Sequence, residues 1–64
     1  MPSHWDYTHS MTLSAEDPPF YALLFALIRK ADTSNMEKIA REWPDVVAEF
    51  KMRYNLPGGL LPGE

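Results

Sequence analysis

An uninterrupted run of apolar residues, from Phe20 to Ile28, dominates the hydrophobic pattern of the chain. It contains neither Gly nor Pro and is followed by two basic residues, as is typical of a helix with a positively charged last turn. Asp17 before Pro18 has the properties of an N-cap, so the pattern predicts a helix over residues 17–31. Its apolar residues form two adjoining stripes: Phe20, Leu24, Leu27 and Ala31 on one, and Tyr21, Phe25 and Ile28 on the other. We expect such a helix to be covered on nearly all sides, by the rest of the chain or by another chain.

A second, shorter helix is predicted over residues 35–42. The residues just before it, 32–35, have side chains that favour turns and caps, so we expect the chain to reverse direction there. Ser34 and Glu37 have the spacing of a capping box, in which each side chain bonds to the backbone N–H of the other residue. The apolar positions form a single face suited to packing on a core: Met36, Ile39, Ala40 and Trp43.

A third helix is predicted over residues 44–54. Trp43 precedes Pro44, which disfavours helical geometry at Trp43 and suits the first position of a new helix. Asn55 is an acceptable left-handed residue at the end of this helix. Two ion pairs at i,i+4 spacing are expected to support the short helices: Glu37 with Arg41, and Glu49 with Arg53.

The segments on either side of these helices follow no sustained period. Residues 1–16 are predicted to be an arm, in which Trp5 and Tyr7 suit a short edge strand, aromatic anchors on the core or a flexible tail. Residues 56–64 contain two Pro-Gly units and are predicted to form a turn and an extended tail, whose leucines could fold back over the first helix. The predicted fold class is therefore all-α: a small three-helix domain over residues 17–55, with an irregular N-terminal arm and a Pro/Gly-rich C-terminal tail.

Composition and charge narrow the functional classes. The net charge of −3 at pH 7 argues against a nucleic-acid-binding protein, which usually has a basic stripe. The chain has no cysteine, so disulfides and thiolate zinc sites are ruled out. A membrane-spanning helix needs about 20 apolar residues, and the apolar run is less than half that length. No secretory signal is visible in the sequence, so we expect a cytoplasmic protein without a membrane partner.

Groups that could catalyse a reaction or hold a cofactor are not brought together by the sequence pattern. The two histidines, His4 and His9, have neither the spacing of a zinc motif nor a third ligand. The acidic residues of the helices have basic neighbours or capping roles and suit solvated faces. We therefore expect a protein that is not an enzyme and that binds neither a metal nor a cofactor.

Recognition of another protein is the function that the sequence favours. A small acidic chain rich in methionine and aromatic residues has more apolar surface than three short helices can bury. The candidate partner-binding residues, which would otherwise belong to the core, are Phe25, Trp43, Phe50 and Tyr54. One alternative is a homo-oligomer or a minor component of a larger assembly, with the long apolar helix paired across a two-fold axis. Another is a helix-turn-helix regulator of DNA, although Asp45 and Glu49 lie where its phosphate contacts would be made.

The second half of the chain resembles a group of short uncharacterised proteins encoded by bacteriophages and prophages. The resemblance covers residues 35–64 and rests on a short helix, the break at Trp43-Pro44-Asp45, a Val-rich helix that ends in Arg53-Tyr54-Asn55, and a Pro-Gly-Gly tail. It carries over no active residue. It implies a phage origin and a small acidic protein that binds and inhibits a host protein in the host cytoplasm.

Overall fold

The computed structural model describes all 64 residues and contains no β-strand. Four α-helices follow one another along the chain, and a short 3-10 turn follows the last of them: α1 (His4–Ala15), α2 (Phe20–Lys30), α3 (Thr33–Glu42), α4 (Pro44–Tyr54) and the turn Pro57–Gly59. The predicted all-α class is confirmed. The predicted count of three helices is wrong, because the segment expected to be an irregular arm contains α1.

The N-terminal helix α1 begins with a reciprocal capping box between Ser3 and Asp6. The backbone N–H of Asp6 donates to the Ser3 hydroxyl (3.3 Å), and the backbone N–H of Ser3 donates to the Asp6 carboxylate (2.8 Å). Hydrogen bonds from the backbone and hydroxyl of Ser3 also lower the pKa of Asp6. Further along the helix, the rings of Trp5 and His9 stack with their centroids 4.9 Å apart. Trp5 and Tyr7 therefore lie in a helix, and neither the edge strand nor the flexible tail is formed.

The apolar helix α2 begins later than predicted, at Phe20. Asp17 is not its N-cap, because the Asp17 backbone lies in the left-handed region with a φ of 51°. The consecutive residues Pro18 and Pro19 explain the delay, since a proline disfavours the helical conformation of the residue before it. Pro19 itself occupies the N-cap position and offers no side-chain hydrogen bond there. The helix ends at Lys30, with the basic last turn that the sequence predicted.

The N-cap of α3 is Asp32, and the predicted capping box between Ser34 and Glu37 is not formed. The backbone N–H of Asn35 donates to the Asp32 carboxylate at 2.8 Å. Asp32 has the extended backbone of an N-cap, and its negative charge is favoured at the positive end of the helix dipole. The helix therefore begins at Thr33, earlier than the sequence pattern predicted.

Alanine substitutions at Asp32 and Ser34 should distinguish the two caps. Asp32→Ala is expected to lower the free energy of unfolding by about 0.5–2 kcal/mol, because it leaves a first-turn N–H without its partner. Ser34→Ala is expected to change it by less than about 0.5 kcal/mol, because the Ser34 hydroxyl makes no capping bond. Urea unfolding followed by circular dichroism measures both. Equal losses in the two variants would contradict the assignment of the cap to Asp32.

The break between α3 and α4 lies where the sequence predicted it. The Trp43 backbone leaves the helical region (φ −129°, ψ 62°), and Pro44 is the first residue of α4. Asn55 at the other end of α4 is not left-handed, since its φ is −92°. Of the two predicted ion pairs, one is formed and the other is not: Glu49–Arg53 is present at 3.0 Å, and Glu37–Arg41 is absent.

The core is small and contains residues from α2, α3 and α4. Four side chains are buried: Leu24, Ile28, Ile39 and Val47. Six more are partly buried and pack against them: Phe25, Ala31, Met36, Ala40, Val46 and Phe50. The helix α1 contributes no buried residue. The stability of the fold therefore rests on the packing of the three C-terminal helices.

The rest of the chain does not cover α2 on nearly all sides, and cover by another chain stays a prediction. Four of its large apolar side chains remain between 43% and 62% exposed: Phe20, Tyr21, Leu23 and Leu27. Trp43 and Tyr54, two of the predicted partner-binding or core residues, are 38% and 70% exposed. The reason is that α3 and α4 cover one side of α2 and that α1 does not bury its other side.

Candidate functional site

Three of the four candidate partner-binding residues lie together on one flank of α2. The rings of Phe25 and Phe50 have their centroids 5.7 Å apart, and those of Phe50 and Tyr54 are 6.1 Å apart. Phe50 and Tyr54 are neighbours because they are four residues apart on α4. The fourth candidate, Trp43, lies at the junction of α3 and α4 and does not line this surface.

Arg29 joins this row of aromatic rings, although it was not predicted as a site residue. Its guanidinium carbon lies 5.1 Å from the centroid of the Phe50 ring, which is the geometry of a cation–π contact. Arg29 makes no ion pair with any acidic residue of the chain. The i,i+4 spacing of Phe25 and Arg29 on α2 is the sequence signal that could have located it.

These residues line an open groove of about 380 Å³, which we call the aromatic groove. Its walls combine aromatic rings, two guanidinium groups and the backbone of the C-terminal segment: Phe25, Arg29, Phe50, Arg53, Tyr54, Leu56, Gly58 and Gly59. Ligand sites usually measure about 300–1,000 Å³, so this groove is at the small end of the range. It has room for one or two side chains of a partner.

The C-terminal segment forms one end of the aromatic groove because Arg53 holds it against α4. The Arg53 guanidinium donates to the Gly59 carbonyl at 2.8 Å and to both carboxylate oxygens of Glu64 at 2.7 and 2.6 Å. Glu64 also accepts the backbone N–H of Leu61 at 2.9 Å. The hydrogen bonds from Arg53 hold the pKa of Glu64 at about 2. The segment therefore folds back on α4, and the prediction of an extended tail is wrong.

Two glycines make this return of the chain possible. Gly58 and Gly59 have φ values of 62° and 68°, in the left-handed region that a side chain would strain. The turn brings Leu56 and Leu61 into half-buried positions, whereas Leu60 stays exposed. The predicted left-handed residue is therefore found at the glycines and not at Asn55.

A second apolar surface, which we call the apolar seam, lies on the other flank of α2. It consists of Phe20, Leu23 and Leu27, whose spacing places them on one line along the helix. All three are exposed. The core residues of α2 lie between this seam and the face that carries Phe25 and Arg29. The two surfaces are therefore separate.

The two ends of the apolar seam carry opposite charges. At the N-terminal end, Asp17 lines a cleft together with Leu23 and with Leu13 of α1. At the C-terminal end, Lys30 and Lys38 line a cleft together with Leu27. The seam thus has a negative side chain near its N-terminal end and two positive side chains near its C-terminal end.

The N-terminal half of α4 is acidic, which argues against the helix-turn-helix alternative. Asp45 and Glu49 line a shallow cleft together with Tyr21 and Phe25. In a helix-turn-helix protein this part of the second helix would approach the nucleic acid. Two carboxylates at this position would repel phosphate groups.

The chain forms neither a metal site nor a membrane-spanning helix. No three acidic or histidine side chains are grouped so that they could hold a metal ion. None of the helices has the length and the apolar character needed to cross a membrane. Comparison of the chain with protein-family models, with curated proteins and with solved structures gave no match.

Proposed function

We propose that the protein is a non-enzymatic interaction module and that the aromatic groove binds another protein. The observation that supports this most directly is the row of Phe25, Phe50 and Tyr54 with Arg29 against it, open to solvent on one flank of α2. Aromatic and arginine side chains contribute most of the binding energy at many protein interfaces. Aromatic side chains have only two rotatable bonds, so they lose little conformational entropy when a partner binds.

The chemistry of the groove defines the partner segment that it would accept. A large apolar side chain would pack on the rings of Phe50 and Tyr54, and a neighbouring carboxylate would pair with Arg29. Arg29 is the available cation because Arg53 already bonds to Glu49 and Glu64. The partner segment would therefore combine an apolar anchor with a single acidic residue.

The resemblance to phage proteins supports a host or phage protein as this partner. Phe50, Tyr54 and the C-terminal end of the groove all belong to residues 35–64, which carry the resemblance. Occupation of a surface on a host protein would make the chain a modulator or inhibitor of that protein.

Comparative capture from a bacterial lysate tests the groove. The immobilised wild-type chain is compared with Tyr54→Ala and Arg29→Gln, and Met52→Ala is the control because Met52 is exposed on α4 but does not line the groove. We expect a protein that binds to wild type and to Met52→Ala and binds about tenfold more weakly to the two groove variants. A protein that binds equally to all four chains would show that the groove is not the binding surface.

A structural homo-oligomer is the second candidate function, supported by a different observation. The apolar seam is exposed and has complementary charges at its two ends. This arrangement suits a second copy of the same chain.

A further inference from the structure

The single chain exposes more surface than a folded monomer of its size. Its accessible surface is 5516 Å², whereas a monomer of 7.4 kDa is expected to expose about 4,200 Å². Its radius of gyration is 13.7 Å, compared with about 10.7 Å for a compact domain of 64 residues. The excess of about 1,300 Å² exceeds the roughly 800 Å² that each partner buries in a standard interface. The chain therefore has enough uncovered surface for a stable dimer.

The apolar seam is self-complementary when two copies of α2 lie antiparallel. When the two-fold axis passes between positions 23 and 24, Leu23 of each copy lies next to the axis and Phe20 of one copy meets Leu27 of the other. In the same arrangement, the end of the seam near Asp17 in one copy approaches the end near Lys30 in the other. A parallel arrangement would place like charges together at both ends of the seam. The charges therefore favour the antiparallel arrangement.

We propose that the apolar seam is an antiparallel two-fold interface between two copies of this chain. Leu13 of α1 lies beside Leu23, so α1 adds apolar surface to the same interface. The interface uses the flank of α2 that is away from Phe25 and Arg29. The aromatic groove therefore stays open in the dimer, and the inference does not depend on the proposed function of the groove.

Light scattering of the full chain over about 1–500 μM tests the interface, because the fraction of chains in a dimer rises with protein concentration. We expect the molar mass to rise towards twice the 7.4 kDa of one chain. Leu27→Asp places a carboxylate in the seam and is expected to weaken the dimer about tenfold or more. Ala48→Asp, which adds the same charge at an exposed position of α4 away from the seam, is expected to leave the dimer unchanged.

Charge reversal tests the antiparallel register. Lys30→Glu places two acidic residues together at each end of the seam and should weaken the dimer, whereas the double variant Asp17→Lys with Lys30→Glu should restore it. Lys51→Glu, which changes the net charge equally but lies on α4, is the control and should have no effect. Circular dichroism checks that each variant remains helical.

Three results would overturn the proposal. A wild-type chain that stays monomeric over the whole range has no such interface, and a small-angle scattering radius of gyration near 10.7 Å would show that the single chain is compact and has no excess of exposed surface. A dimer that Leu27→Asp does not weaken uses another surface. A dimer that Lys30→Glu weakens and the double variant does not restore has a different register. Arg29→Gln is expected to leave the dimer unchanged, which separates this interface from the aromatic groove.

Discussion

Replacing Ile28 by alanine is expected to lower the free energy of unfolding by about 2–5 kcal/mol. Ile28 is 2% exposed and belongs to the four-residue core, so its truncation loses buried apolar contacts and leaves a cavity. A domain of this size has a total stability of roughly 3–10 kcal/mol. The substitution should therefore remove a large part of it, as measured by urea unfolding followed by circular dichroism.

Leu27 is the control for this experiment. It is the neighbouring residue on α2 and is 52% exposed, so Leu27→Ala is expected to change the stability of the monomer by less than about 1 kcal/mol. The comparison is made at low concentration, where association through the seam does not contribute. Similar losses in the two variants would mean that α2 is covered on both sides and that the described core is incomplete.

The break between α3 and α4 could be predicted from the sequence because its signals are local. Trp43 before Pro44 interrupts a helix wherever it occurs, since the proline ring excludes the helical conformation of the preceding residue. The start of α2 obeys the same rule. Asp17 has the properties of a cap, but the effect of Pro19 on Pro18 decides where helical geometry can begin.

Two helix starts depend on local capping signals that the sequence contains, one that was not predicted and one that was predicted at another residue. Ser3 and Asp6 form a capping box in which aspartate replaces the usual glutamate, and this bond starts a helix that has no amphipathic period. Before α3, two acceptors compete for the first-turn N–H groups, and Asp32 prevails over Ser34 because it combines a cap with a charge at the helix dipole.

The burial of α2 could not be predicted from its pattern. Its apolar residues surround most of the helix, so the sequence does not distinguish Leu24 and Ile28, which are buried, from Leu23 and Leu27, which are exposed. That choice depends on where the other helices pack. The rest of the chain is not sufficient to cover α2, because α1 contributes no buried residue, and cover by another chain stays a prediction.

The candidate site shows the same division between local and long-range information. Phe50 and Tyr54 are four residues apart on one helix, so their contact could be predicted from the sequence. The contact of Phe25 and Arg29 with Phe50 depends on the packing of α2 against α4, which spacing alone does not determine. The return of the C-terminal segment depends on Arg53, whose pairing with Glu64 joins residues far apart in the sequence.

The position of α2 allows one short helix to serve three purposes. One face forms the core with α3 and α4, and its two flanks present the aromatic groove and the apolar seam. Because the core is so small, a substitution on either flank must be checked for loss of folding before a loss of binding is assigned to the surface. Circular dichroism of each variant makes this check, and the exposed controls at Met52, Ala48 and Lys51 show the effect of a substitution outside both surfaces.

Placing a carboxylate at Val47 is expected to unfold the helical core. Val47 is 4% exposed, so Val47→Asp would bury a charge without a partner and lose apolar contacts, at a cost of about 4–5 kcal/mol or more. Ala48→Asp adds the same charge at the next, exposed position and should cost less than about 1 kcal/mol. Far-UV circular dichroism at 25 °C should show loss of helix in the first variant only. Wild-type helicity and an unchanged urea midpoint in Val47→Asp would mean that α4 does not pack through Val47, and the arrangement of α2, α3 and α4 would have to be revised.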